Sequence, residues 1–255
     1  MKYVTTIILA TLLAIFSTSE IQARQGGQGN CQGKGHGGGK GGGQCSTAIA
    51  DLPVEDLNET EISSLLKMRE EEKLARDVYL TLGKKWDVNV FQNIPEAEQR
   101  HMDAVASLLE RYELDDPVTD DTVGVFSSEE FSRLYEQLVA DGSRSLADAL
   151  TVGATIEDLD IFDLNEALEG DIDNQDIRQV YGNLVRGSRN HMRAFSGQLE
   201  GQGKEYTAQY LSNDELAAIL DSDWERGGNG KGGHGKGHGQ GKGHGNGHGK
   251  GQCRG

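Results

Sequence analysis

The stretch Pro95–Tyr112, PEAEQRHMDAVASLLERY, decides how the chain is read. Its apolar residues recur at helical spacing, and Pro95 suits the first turn of a helix. The buried line of that helix reads Ile94, Glu98, His101, Val105, Leu108, Tyr112. A carboxylate and an imidazole therefore occupy positions where a packed helix is normally apolar. The i, i+3 spacing of Glu98 and His101 aims both side chains at one point.

Neighbouring segments repeat the pattern. Asn58 and Glu61 form a capping box that opens a helix running to Gly83, a suitable stop. Its seam is Leu65, Met68, Glu72, Ala75, Tyr79 and Leu82, with Glu72 filling an apolar gap. Glu71 shares a side with Leu74 and Val78 and is the second candidate on this helix. After Pro117, a capping box from Ser127 to Glu130 opens a shorter amphipathic piece that reaches about Ala140. A third long helix is expected from near Ser145 to Leu168, with Leu146, Leu150, Gly153, Glu157, Asp160 and Leu164 on one stripe. A fourth, from about Asp173 to Leu199, aligns Ile177, Tyr181, Leu184, Ser188, His191 and Phe195. A last short helix follows the Ser212 to Glu215 capping box and ends near Trp224.

The connections suggest a topology. About 12 residues join the first two long helices and a few around Gly170 join the last two, so each pair should be antiparallel. The roughly 30 residues between the pairs can run the length of a helix. The expected fold is all-α, a four-helix bundle with one long crossover. Each long helix then delivers acid or imidazole to its centre: Glu72, Glu98 with His101, Glu157 with Asp160, and His191. Facing buried carboxylates repel one another unless cations neutralise them, and a shared metal accounts for all four helices at once. Tyr79 and Tyr181 lie on the same seams and are read as packing residues.

Outside this region the composition changes. Residues 1–23 carry Lys2, an apolar run from Val4 to Phe16 and an acceptable cleavage site at Ile21-Gln22-Ala23, which reads as a signal peptide. The run is shorter than the roughly 20 residues of a membrane span, so the mature chain is expected to be exported, periplasmic or extracellular, without a transmembrane segment. Residues 24–45 and 227–255 are Gly-rich tails with Lys and His but no aliphatic side chains, and they are expected to be disordered. They flank a domain spanning 46–226. The tails hold eight cations, Lys2 and Glu20 cancel, and the chain's net charge of −16 thus leaves −24 on that domain, which argues against nucleic acid as a partner. The tails could instead contact an acidic surface, and His234, His238, His244 and His248 could bind metal once gathered. Cys31, Cys45 and Cys253 all lie in the tails; their odd number leaves at least one thiol free or intermolecular.

With these residues in place, the chain resembles the ferritin-like diiron-carboxylate superfamily, in particular a poorly characterised exported branch found in bacteria and archaea. EKLARDVYL, beginning at Glu72, is similar to the first ferritin helix, and EQRH at Glu98–His101 to the Glu-x-x-His of the second. Glu157 corresponds to the single Glu of the third helix and His191 to the histidine of the fourth. The resemblance implies a ferritin-like bundle holding one or two iron ions, or manganese, with His101 and His191 each on one ion and Glu98 bridging together with Asp160 or Glu157. One position departs from the family pattern: Ser188 stands where a bridging Glu would be, so either Asp160 supplies the missing carboxylate or the second metal is weak or absent. The resemblance implies an oxidoreductase acting with dioxygen or peroxide if the protein is an enzyme. The alternative is a non-catalytic metal-binding or surface-interaction protein whose tails carry the function. A homodimer is compatible with either.

Overall fold

The computed structural model describes residues 49–226. The expected signal peptide, both expected tails and the three cysteines lie outside the described residues. Six helices and no strands make up the described chain, an all-α fold: α1 (Glu59–Lys85), α2 (Asn89–Arg111), α3 (Glu129–Gly142), α4 (Leu146–Glu169), α5 (Gln175–Gly201) and α6 (Asn213–Asp221). None of them is long and apolar enough to cross a membrane.

Local chemistry sets most helix starts. Asn58 Oδ1 accepts from Glu61 N (2.9 Å) while Glu61 Oε2 accepts from Asn58 N (3.0 Å), closing the capping box of α1. The other oxygen of the same buried carboxylate accepts from Asp173 N and Asn174 N, just ahead of α5. Glu61 thus fixes the starts of two helices against each other. Ser145 caps α4, and Ser212 with Glu215 caps α6. The cap of α3 is Ser128 rather than Ser127, whose hydroxyl instead donates to Pro117 O and so holds the incoming chain.

The sequence reading placed the α1–α2 boundary wrongly. α2 begins at Asn89, well before Pro95, and the connection is residues 86–88 rather than about 12 residues. Pro95 has no N–H for the Phe91 carbonyl, which costs one helical hydrogen bond. Against that loss, the extra turns bury Val90, Phe91 and Ile94, each such side chain worth about 1.5–3 kcal/mol. The Phe91 ring joins those of Tyr79 and Phe195 at centroid separations of 6.2 and 5.6 Å. Gly83 does not stop α1 either. A Cβ there would lie 2.9 Å from Phe91 O, so the glycine lets α2 approach closely while α1 continues to Lys85. At the other end of the chain, α6 stops at Asp221, short of Trp224.

α1 packs on α2 and α4 on α5, and the two pairs meet through α2 with α5 and α1 with α4. The crossover between α2 and α4, including α3, lies against α1 through Arg69 to Asp116, Arg76 to Asp121 and Lys73 Nζ to Thr122 O. The core is divided into two apolar clusters. One contains Tyr79, Leu82, Phe91, Ile94, Leu150 and Phe195; the other contains Leu65, Met68, Val105, Leu108, Leu164 and Leu184. Along each long helix, the polar seam residues stand between members of the two clusters.

Candidate metal centre

The polar layer is built on rigid helical positions, one or two per helix. Glu72 comes from the middle of α1, Glu98 and His101 from α2, Glu157 and Asp160 from α4, and His191 from α5. Each sits on the stripe its helix buries, so folding brings them together as a consequence of apolar packing above and below. Glu72, Glu98, Glu157 and Asp160 are buried, and the side chains of His101 and His191 are only 14% and 10% exposed.

Glu98 lies at the middle. His101 Nδ1 is 2.9 Å from Glu98 Oε2 and 3.2 Å from Glu72 Oε2. On the other side, His191 Nδ1 is 2.8 Å from Glu98 Oε1 and 3.5 Å from Glu157 Oε2. The two imidazole rings are 5.6 Å apart. Two three-donor groups result, Glu72–Glu98–His101 and Glu98–Glu157–His191, each with its donor atoms within 4.8 Å of one another and with Glu98 common to both.

Buried polar atoms normally find hydrogen-bond partners, and an orphan costs about 1–3 kcal/mol. Here Glu72 Oε1, Glu98 Oε1, Glu157 Oε2, Asp160 Oδ2 and His191 Nδ1 are all buried without one. His191 Nδ1 and Glu98 Oε1 are close enough to bond but are not aligned for it. Four of these atoms belong to the residues of the two three-donor groups. A six-coordinate ion with bonds of about 2.1 Å sets neighbouring ligands roughly 3 Å and opposite ligands roughly 4.2 Å apart, so both groups have the dimensions of a metal site.

The charges reinforce one another. Burial, together with the neighbouring acids Glu72, Glu157, Glu71 and Glu98, raises Asp160 well above the usual carboxylate range. Burial also raises Glu72, although His101 opposes it. Glu157 is pushed up to about 7 by burial and by Glu98. Burial would lower the histidines, yet the carboxylates win: Glu98 and Glu157 push His191 up to about 10, and Glu72 and Glu98 raise His101 well above its ordinary value. Burial alone would raise Glu98, but His191 and His101 together hold it far below the ordinary range. The layer attracts cations, and protons are the cations it takes when no other is supplied.

Smaller neighbours shape the layer. Gly187 of α5 faces the His101 ring; a Cβ there would lie 2.4 Å from Nε2, so only glycine lets the imidazole take this position. Ser188 turns its hydroxyl back to Leu184 O (3.2 Å) and brings no carboxylate to the layer. Asp160 stands beside Glu72 and Glu157 electrostatically but belongs to neither three-donor group. Glu71 is buried like Glu72, but it belongs to neither group and instead lies 3.0 Å from Lys67 Nζ. Tyr79 is more than a packing residue: its hydroxyl donates to Glu157 Oε1 at 2.7 Å and lies 3.3 Å from Gly153 O. Its place two turns beyond Glu72 on the same seam was the signal for that role. Tyr181 Oη instead lies 2.9 Å from Ser64 Oγ.

Comparison with known proteins places the chain in a family. Over 181 residues it is 55% identical to the uncharacterized protein MJ0754 of Methanocaldococcus jannaschii, covering 71% of this chain and 97% of that protein. The crystal structure of hypothetical protein MJ0754 from Methanococcus jannaschii DSM 2661 superposes with a TM-score of 0.67 at 54% identity, covering 69% of this chain and 99% of that one. Residues 61–223, which include all six polar seam residues, match the family described as "Uncharacterized protein domain (DUF2202)", and the chain is a member of that family.

Proposed function

We propose that the protein is an exported metalloprotein of the ferritin-like type, in which the four long helices form a ferritin-like bundle with one long crossover and the polar layer holds one or two iron or manganese ions. The observation that carries this reading is the pair of three-donor groups sharing Glu98, whose residues hold four buried side-chain atoms without hydrogen bonds. Carboxylates with one imidazole per ion suit hard or borderline divalent metals. Glu72 and His101 would hold one ion and Glu157 and His191 the other, with Glu98 within reach of both. Asp160, outside both groups, adds negative charge beside them.

The activity that fits is oxidoreductase chemistry. When bound, such ions supply one-electron exchange with dioxygen or peroxide. The chain's own residues prepare for it. Both histidines present Nδ1 to the layer, and Tyr79 fixes the rotamer of Glu157 through its hydrogen bond. The apolar clusters above and below keep bulk water from the carboxylates, which strengthens their hold on a cation. Loading metal releases the protons that the layer otherwise holds.

The test is metal analysis of the mature protein after expression with iron or manganese, with His36, His234, His238, His244 and His248 replaced by Asn so that the tail histidines cannot contribute. One or two ions per chain, lost in Glu98→Ala, is the expected result. A metal-free protein, or full metal content in Glu98→Ala, refutes the reading.

A further inference from the structure

Next to the metal layer, between α1 and α4, lies a second set of charges that the proposed chemistry does not use. Lys67 Nζ sits between two carboxylates, 2.7 Å from Asp163 Oδ2 and 3.0 Å from Glu71 Oε1. Side-chain exposure falls from 22% at Lys67 and 12% at Asp163 to 4% at Glu71 and none at Glu72. Lys67 and Glu71 are one turn apart on α1, as are Asp160 and Asp163 on α4, and Lys67 Nζ joins Glu71 to Asp163 across the two helices. Asp160 feels the charge of both Glu71 and Glu72 and so joins this set to the layer.

An ion pair kept only for stability would satisfy the buried partner. Glu71 is only partly satisfied: it is buried, Oε1 meets the ammonium at 3.0 Å, and Oε2 faces no cation. Asp160 Oδ2, equally buried, has no hydrogen bond. Acceptors without donors therefore continue inward from an ammonium that already occupies a cation position near the surface.

We propose that Asp163, Glu71 and Asp160 form the route by which a divalent cation reaches the layer from solvent, and that the Lys67 ammonium is the plug which the incoming cation displaces. This inference rests on the metal-centre reading. Each carboxylate is a transient oxygen ligand, and Glu157, a residue of the layer, lies one helical turn from Asp160 on α4. The plug keeps the acids neutralised until a doubly charged ion outcompetes a singly charged one. Charge-lined approaches of this kind change association rates by about 10- to 1000-fold.

The test is the rate at which apo protein takes up Co2+, followed by stopped-flow absorbance of the bound ion, in the full mature chain with the five tail histidines replaced by Asn. Asp163→Asn and Glu71→Gln should slow uptake by about tenfold or more while the final absorbance stays that of the parent. Lys67→Met should speed it, and Lys67→Gln, which keeps polarity, serves should the methionine variant fail to fold. Glu136→Gln, the same charge change on the exposed face of α3, should leave the rate unchanged. Uptake at the parent rate in both carboxylate variants overturns the route, as does equal slowing in Glu136→Gln. Failure of the centre itself has a separate signature: no saturable Co2+ absorbance in the parent, or an undiminished one in Glu98→Ala, which overturns both proposals.

Discussion

Glu98→Gln is the most demanding substitution, because Glu98 faces both histidines and belongs to both three-donor groups. The change keeps the shape and removes the charge. In the absence of metal, two raised histidines lose the carboxylate that keeps them charged, and breaking a buried charge pair costs about 3–5 kcal/mol. The metal-dependent part is separable. A protein saturated at 100 times Kd gains about 2.7 kcal/mol, and for a domain of this size each kcal/mol moves the melting temperature by about 2–4 °C. Chelator should therefore lower the Tm of the parent by roughly 5–11 °C. In Glu98→Gln, the shift should vanish. The assay is thermal melting of both proteins, with the tail histidines replaced, after loading with iron or manganese and then with excess chelator. A polar network that needs no metal gives a lower Tm in the variant and no chelator effect in either protein. That outcome, or an equal chelator shift in both, refutes the reasoning.

Gly187→Ala should displace the His101 ring and remove one ion while leaving the fold intact, at a cost of about 1–3 kcal/mol for overpacking; metal stoichiometry and a denaturant melt read the two effects. Tyr79→Phe should cost about 1–2 kcal/mol and weaken metal retention, since the hydrogen bond to Glu157 Oε1 is lost with little change in volume; retention of wild-type affinity would return Tyr79 to a packing role. Glu225, bonded to Arg189 and Arg193, is held down to about 2. Because its folded value lies below the ordinary carboxylate value, its contribution to stability is present above about pH 4.3 and disappears as pH falls toward 2. Glu225→Gln should flatten that part of the stability-versus-pH curve, and an unchanged slope would contradict the assignment.

The polar layer was legible in the sequence because helical periodicity is a one-dimensional signal. Glu72, Glu98, His101, Glu157, Asp160 and His191 each interrupt an apolar stripe, and a residue on such a stripe is buried wherever its helix packs. The capping boxes at Asn58 and Ser212 were readable for a similar reason, since both partners lie within three residues. A helix start was misplaced where a local preference competed with distant contacts. Pro95 marked a helix start by its own geometry, but Phe91 and Ile94 gained more from a core that includes Tyr79 and Phe195.

The sequence by itself therefore determined the all-α class, the long helices and which of their residues line the interior, because periodicity and capping act over three or four residues. Tertiary structure alone decided which acids meet. It set Glu98 between both histidines, turned Glu71 toward Lys67 and Asp163 while its neighbour Glu72 faced His101, and let Gly187 admit the His101 ring. Those choices depend on interhelical distances and on burial of charge, which join residues far apart in the chain and leave no mark in the local pattern of any one helix.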